Sequence, residues 1–247
     1  MKIRNNLLMI LLISNSFIIG MEGERFPQIF FLNGSSSAGK TTLALELQHA
    51  LQPQNYQIIS YDEFREHDLT ERVKKYNLVP STYTFTTVHS LFEDIGKTIR
   101  NTQNTEQQTL LRKSWNAATI ANIEAFYTHI HDAATRENKL IVDAVVMNEQ
   151  LQKQVETLRI YRILTIFTHI TPDKLKERVE KRNMASDPKE HRMLERVMRV
   201  YPSYYNQEGQ PLYMHDIIVD TGILTPQQAA EYVIKVAQSQ DLHSLYL

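Results

Sequence analysis

The chain has 247 residues, 42% of them hydrophobic, and 27 Lys and Arg stand against 28 Asp and Glu for a formal net charge of -1. That balance excludes the electrostatic footprint expected of a protein that binds duplex nucleic acid or an anionic membrane. The absence of Cys excludes disulfides, thiolate zinc sites and a cysteine nucleophile, and with no Pro/Gly/Ser-rich linker the chain reads as one domain with insertions.

At the start, Lys2 and Arg4 precede an apolar run from Leu7 to Ile19 that is broken by Ser14-Asn15-Ser16. This is the layout of a secretory signal, too short for a comfortable membrane span. The competing reading, which we favour, starts the functional protein near Met21 in the cytoplasm, because the polar Met21 to Arg25 leads directly into the first strand. On either reading residues 1–20 stand outside the fold, and the domain runs over 21–247.

Gln28 to Leu32 is a short apolar run ended by Asn33-Gly34, and Thr42 to Gln48 carries apolar residues at helical spacing. Between them Gly34-Ser35-Ser36-Ser37-Ala38-Gly39-Lys40-Thr41 fits the P-loop pattern G-x-x-x-x-G-K-[ST] without a gap. In a strand, glycine turn and helix, successive backbone N–H groups over Gly34 to Thr42 face an anion, so the loop is a candidate cradle for the phosphates of ATP or, equally, GTP. Lys40 is expected to reach the β- and γ-phosphates, and Thr41 to offer its hydroxyl to a Mg²⁺ that bridges them.

Tyr56 to Ser60 reads as a second strand, ending at Tyr61-Asp62-Glu63-Phe64. Asp62 is the candidate base for an acceptor hydroxyl, with Glu63 in reserve; the competing role for Asp62 is to cap the helix that follows. Arg65 to Thr87 shows no sustained period and reads as irregular, the start of a substrate-side excursion over 65–105 whose Tyr76, Tyr83 and Phe85 suit an aromatic-walled acceptor pocket. Val88 to Ile99 and Gln107 to Ala134 read as helices, with Trp115 a packing residue.

Lys139 to Val146 is an apolar run broken by Asp143, as in a strand buried on both faces. A buried carboxylate needs a partner, and in a P-loop protein an acid so placed holds Mg²⁺ through water beside the P-loop Ser/Thr; a structural ion pair is the other option. Further strands are expected at Ile163 to Ile170 and Asp216 to Asp220, with helices at Glu149 to Leu158, Pro172 to Arg182, Glu190 to Val200 and Pro226 to Gln238. Lys174, Arg178 and Arg182 share one helix face, and Arg192, Arg196 and Arg199 the next across Asp187-Pro188. The pair suggests a lid over 172–200 that brings Arg178 and Arg182 to the transferring phosphoryl, although interleaved acids would equally make a solvated, salt-bridged surface. The histidines have no metal-ligand spacing. Strands alternating with helices predict an α/β, three-layer fold on a parallel sheet, with ligands beyond the carboxyl ends of its strands, where Gly34, Asp62 and Asp143 fall.

Leu32-Asn33-Gly34 through Thr41 resembles the P-loop of the chloramphenicol phosphotransferase family of kinases. So do Asp62 after the second strand, Ile141-Val142-Asp143-Ala144-Val145, Leu175-x-x-Arg178-x-x-x-Arg182, and Asp216-Ile217-Ile218-Val219-Asp220-Thr221. The resemblance implies strand order 2-3-1-4-5, ATP and Mg²⁺ as cofactors, and transfer of the γ-phosphoryl group to a hydroxyl of a small molecule. It also implies Asp62 as the base, phosphate contacts from the lid arginines, and purine contacts near Thr221 and Gly222. Two features depart from that family: Arg182-Asn183-Met184-Ala185 stands where it has Arg-Gly-Asp-Arg, and the segment after Arg65 is longer and more polar. Tyr61 to His67 also resembles zeta-toxin kinases, which phosphorylate a nucleotide sugar; a non-enzymatic nucleotide-binding switch is the alternative of another class.

Overall fold

The computed structural model describes residues 26–79, 88–146, 148–185, 194–213 and 215–239. The signal-like segment, Tyr83, Phe85, the Asp187-Pro188 joint and Arg192 lie outside them. Among the described residues no helix is long and apolar enough to cross a membrane.

Five strands, β1 (Ile29–Asn33), β2 (Gln57–Ser60), β3 (Leu140–Asp143), β4 (Ile163–His169) and β5 (Ile217–Asp220), form one parallel sheet in the order β2-β3-β1-β4-β5. The expected order is therefore observed. All five residues of β1 and all four of β3 are buried, which is why both read as apolar runs that end in a polar residue, Asn33 and Asp143. The edge strands differ: β2 has no buried residue, and β5 turns Ile218 to the surface. Register sets the chemistry, since Leu32 lies opposite Asp143 and the P-loop begins two residues beyond Leu32.

The chain divides into two compact units. The first combines the residues up to Ile58 with those from Glu137 onward, and so holds most of the sheet. Its helices are α1 (Lys40–Ala50), α5 (Glu149–Thr157), α6 (Pro172–Ala185), α7 (Leu194–Val200) and α8 (Pro226–Ser239). On one face Leu43, Ala44 and Leu47 of α1 and Ala229, Ala230 and Val233 of α8 pack against Phe30, Leu32, Ile141, Leu164 and Val219. A second cluster joins Ala38 of the P-loop to Ile170, Leu175, Val179 and Val197, so α6 and α7 rest on the loop through apolar contacts.

The second unit, Ile59–Arg136, contains α2 (Tyr61–Lys75), α3 (Val88–Asn101) and α4 (Thr105–Thr135). Here the reading of Arg65 to Thr87 as irregular is corrected, because residues 65–75 are helical. The apolar stripe of α2 is only Phe64, Leu69 and Val73, too thin to show a period among so many charges. The helix is held by burial of Leu69 and Val73 against Leu91, Ile95 and Ala118, and by the ion pairs Arg65–Asp62, Arg72–Asp68 and Lys74–Glu71 along its surface. Trp115 is half-buried against this cluster.

Candidate active site

The residue that closes β1 fixes where the loop begins. The Asn33 side chain accepts from the Val146 N–H at 2.8 Å and donates to the Val146 carbonyl at 3.3 Å, tying the end of β1 to the segment after β3. Thr168 of β4 donates its hydroxyl to the Asn33 carbonyl at 3.0 Å. Gly34 then turns with φ 143, and a Cβ there would lie 2.2 Å from Thr168 Oγ1 and 2.6 Å from the Thr168 carbonyl. No other residue fits that space without moving β4.

The loop closes with Ser37 at φ 69 and Gly39 at φ 93, the latter the N-cap of α1. No side chain caps that helix, whose first N–H groups are the donors a helix leaves unmatched at its start. The hydroxyls of Ser35 and Ser37 are buried and have no hydrogen-bond partner among the described residues. Orphaned buried hydroxyls are costly, and a polyphosphate in the loop would supply the acceptors they lack. Lys40, only 8% exposed, folds back over the loop and donates to the carbonyls of Gly34 at 3.0 Å and Ser35 at 3.2 Å. Ser36 is half-buried, while Thr41 and Thr42 are exposed at the start of α1.

Asp143, 7% exposed at the end of β3, accepts a 2.6 Å hydrogen bond from the Thr41 hydroxyl. Two hard oxygen donors thus stand side by side, the donor type that Mg²⁺ takes from a protein when phosphates and water complete its shell. Among the described residues no group of three or more His, Cys, Asp or Glu could hold a metal by itself.

Arg178 does something its position on the helix face did not suggest. Its guanidinium donates to the Ala38 carbonyl at 3.2 Å, to Thr221 Oγ1 at 3.2 Å, and to the Thr221 carbonyl. The Thr221 hydroxyl in turn shares its one proton between the carbonyls of Ala38 at 2.6 Å and His169 at 3.0 Å, so α6, the P-loop and the turn after β5 are tied at one point. Burial holds the Arg178 guanidinium below its ordinary pKa, an effect that Asp220 and Glu177 oppose. Arg182 lies one turn further along α6 and is exposed, and Arg196 and Arg199 are exposed on α7.

Asp62 belongs to the second unit, in the first turn of α2 and exposed. The cap reading is corrected: the N-cap is Ser60, and the Asp62 carboxylate instead takes the Arg65 guanidinium at 2.8 Å. Its neighbour Tyr61 is fixed by a 3.1 Å hydrogen bond to the buried Asn122, whose amide also donates to Asp68 at 2.7 Å. Glu63 is exposed, and Tyr76 is half-buried against the cluster around Leu69. Sequence reasoning missed Asn33, Thr168 and Asn122, since nothing near them in the chain indicates partners over fifty positions away.

A glycine-rich loop between a buried strand and an uncapped helix, with a hydroxyl–carboxylate pair beside it, defines a P-loop protein of the nucleoside-triphosphate-binding class. A family model described as Chloramphenicol phosphotransferase-like protein matches residues 27–238, and the chain belongs to that family of P-loop phosphotransferases. No curated protein matches it in sequence. Among solved structures it is similar to a gluconokinase from Sinorhizobium meliloti 1021, with a TM-score of 0.50 at 15% identity, covering 90% of this chain and 97% of that one. It is also similar to an APS kinase of Mycobacterium tuberculosis in complex with AMPPNP and APS, with a TM-score of 0.50 at 12% identity, covering 87% and 99%. At such identities the likeness is one of fold.

Proposed function

We propose that this protein is an ATP-dependent kinase that moves the γ-phosphoryl group to a hydroxyl of a small molecule, in the manner of chloramphenicol phosphotransferases. The observation that carries the reading is the loop itself, where the start of α1 lies beside Lys40 and the buried hydroxyls of Ser35 and Ser37, which have no partner among the described residues. Gly34 to Thr42 bind the triphosphate, and Lys40 turns from the loop carbonyls to the β- and γ-phosphates. Thr41 and Asp143 would hold Mg²⁺, which when bound neutralises charge on the phosphate oxygens.

Asp62, immediately after β2, takes the proton of the acceptor hydroxyl. The acceptor oxygen then forms its bond to the γ-phosphorus as the bond to the β,γ-bridging oxygen breaks, releasing ADP. Arg182 is the lid cation assigned to the transferring phosphoryl. Phosphorylation assayed with ATP against antibiotics, nucleosides, nucleotide sugars and cell extract tests the reading. Tight ATP binding with slow turnover whatever acceptor is added would make the protein a switch instead.

Two variants separate roles inside the site. Asp143→Asn keeps the shape and the Thr41 contact but removes the charge, so the Mg²⁺ needed for half-maximal activity should rise by about tenfold or more. An unchanged Mg²⁺ dependence would return Asp143 to a structural role. Arg178→Gln loosens the tie between Ala38 and Thr221, so KM for ATP should rise by about tenfold while kcat changes less. A fall in kcat alone would place Arg178 on the transition state.

A further inference from the structure

The second unit carries a cleft of about 330 Å³ that no part of the proposed phosphotransfer uses, lined by Gly96, Ile99 and Arg100 of α3 and by Arg112, Trp115 and Asn116 of α4. Each trio is spaced i, i+3, i+4, so the lining is one face from each helix. The lining is differentiated. Ile99 is buried and Trp115 half-buried, giving an apolar floor, while Arg100, Arg112 and Asn116 are exposed at the rim. Gly96 makes room for one of the cations, because a Cβ there would lie 3.3 Å from Arg100 Nη1.

Charge is as uneven as shape. Lys97 nearby is paired with Asp94 at 3.9 Å, whereas the cleft itself is lined by two cations, Arg100 and Arg112. Among the described residues no carboxylate lines the cleft, and neither the Arg100 nor the Arg112 side chain forms an ion pair or hydrogen bond. The turn that sets the two helices against each other is well fastened. The Asn104 side chain caps α4 by accepting from the Gln107 N–H at 2.9 Å, and Gln108 donates to the Ile99 carbonyl at 2.9 Å.

We infer that this cleft is a second binding site, for a ring-bearing phosphate monoester of about mononucleotide size. Two guanidiniums offer planar forks suited to a dianionic phosphate, the Asn116 amide adds a polar contact, and the ring rests against the floor that Ile99 and Trp115 line. The volume lies at the small end of ligand pockets and suits a ligand of that size. The site lies within one unit and does not depend on the P-loop reading.

Trp115 is the chain's single tryptophan, so its fluorescence reports on this cleft. Phenyl phosphate, titrated into the full-length protein, is expected to change that emission saturably, and to do so equally in Lys40→Ala, where nucleotide binding is impaired. Arg100→Gln and Arg112→Gln should each weaken the response by about tenfold or more, with helical content unchanged by circular dichroism. Phenol should give no comparable response. Absence of any emission change at millimolar phenyl phosphate in the folded protein would overturn the inference. So would a response that phenol reproduces, or one that Lys40→Ala abolishes and the arginine variants leave intact.

Discussion

Lys40→Ala is expected to fold and to lose phosphoryl transfer by on the order of 10²-fold or more, because a charge aimed at the developing transition state is removed. In the structure Lys40 is buried and donates to the Gly34 and Ser35 carbonyls. Its removal leaves two loop carbonyls without that donor, whereas the geometry of Gly34 is held by β4 and does not rest on Lys40. The thermal midpoint should therefore change little while turnover collapses. Wild-type turnover in a folded Lys40→Ala protein would refute the role assigned to the loop.

Asp62→Asn is expected to keep ATP affinity and to lower acceptor phosphorylation by roughly 10²- to 10⁴-fold, since an amide cannot take the acceptor's proton. Three features isolate that effect from folding. Asp62 is exposed, the helix starts at Ser60 without a side-chain cap, and an Asn oxygen can still accept from Arg65. Nucleotide affinity measured beside acceptor turnover makes the result unambiguous. Full activity would remove Asp62 from the mechanism and make Glu63 the next residue to replace.

How much of this could be read beforehand varies with distance along the chain. The P-loop and the acid of β3 were legible because each follows an apolar run, and a strand buried on both faces leaves that mark. The order of the strands came from resemblance, since periodicity does not say which strands are neighbours. Helix α2 was missed because its thin apolar stripe is lost among the charges that form ion pairs three and four residues apart along its surface. The grip of Arg178 on Ala38 and Thr221 was out of reach in a different way. Four-residue spacing tells which side chains share a face, but not that this face meets carbonyls 140 and 43 positions away.

The contact between Gly34 and Thr168 has a consequence for how natural variants of this chain are to be weighed. Any side chain at position 34 must displace β4, so selection for a folded sheet preserves that glycine whether or not the protein still turns over. Ser35 and Ser37 are under the opposite regime: their buried hydroxyls bond nothing among the described residues, and a lineage that had abandoned phosphate would gain by replacing them with alanine. A descendant that keeps Gly34 while losing the two serines has inherited the scaffold and given up the ligand, and assaying such a descendant for ATP binding would show it.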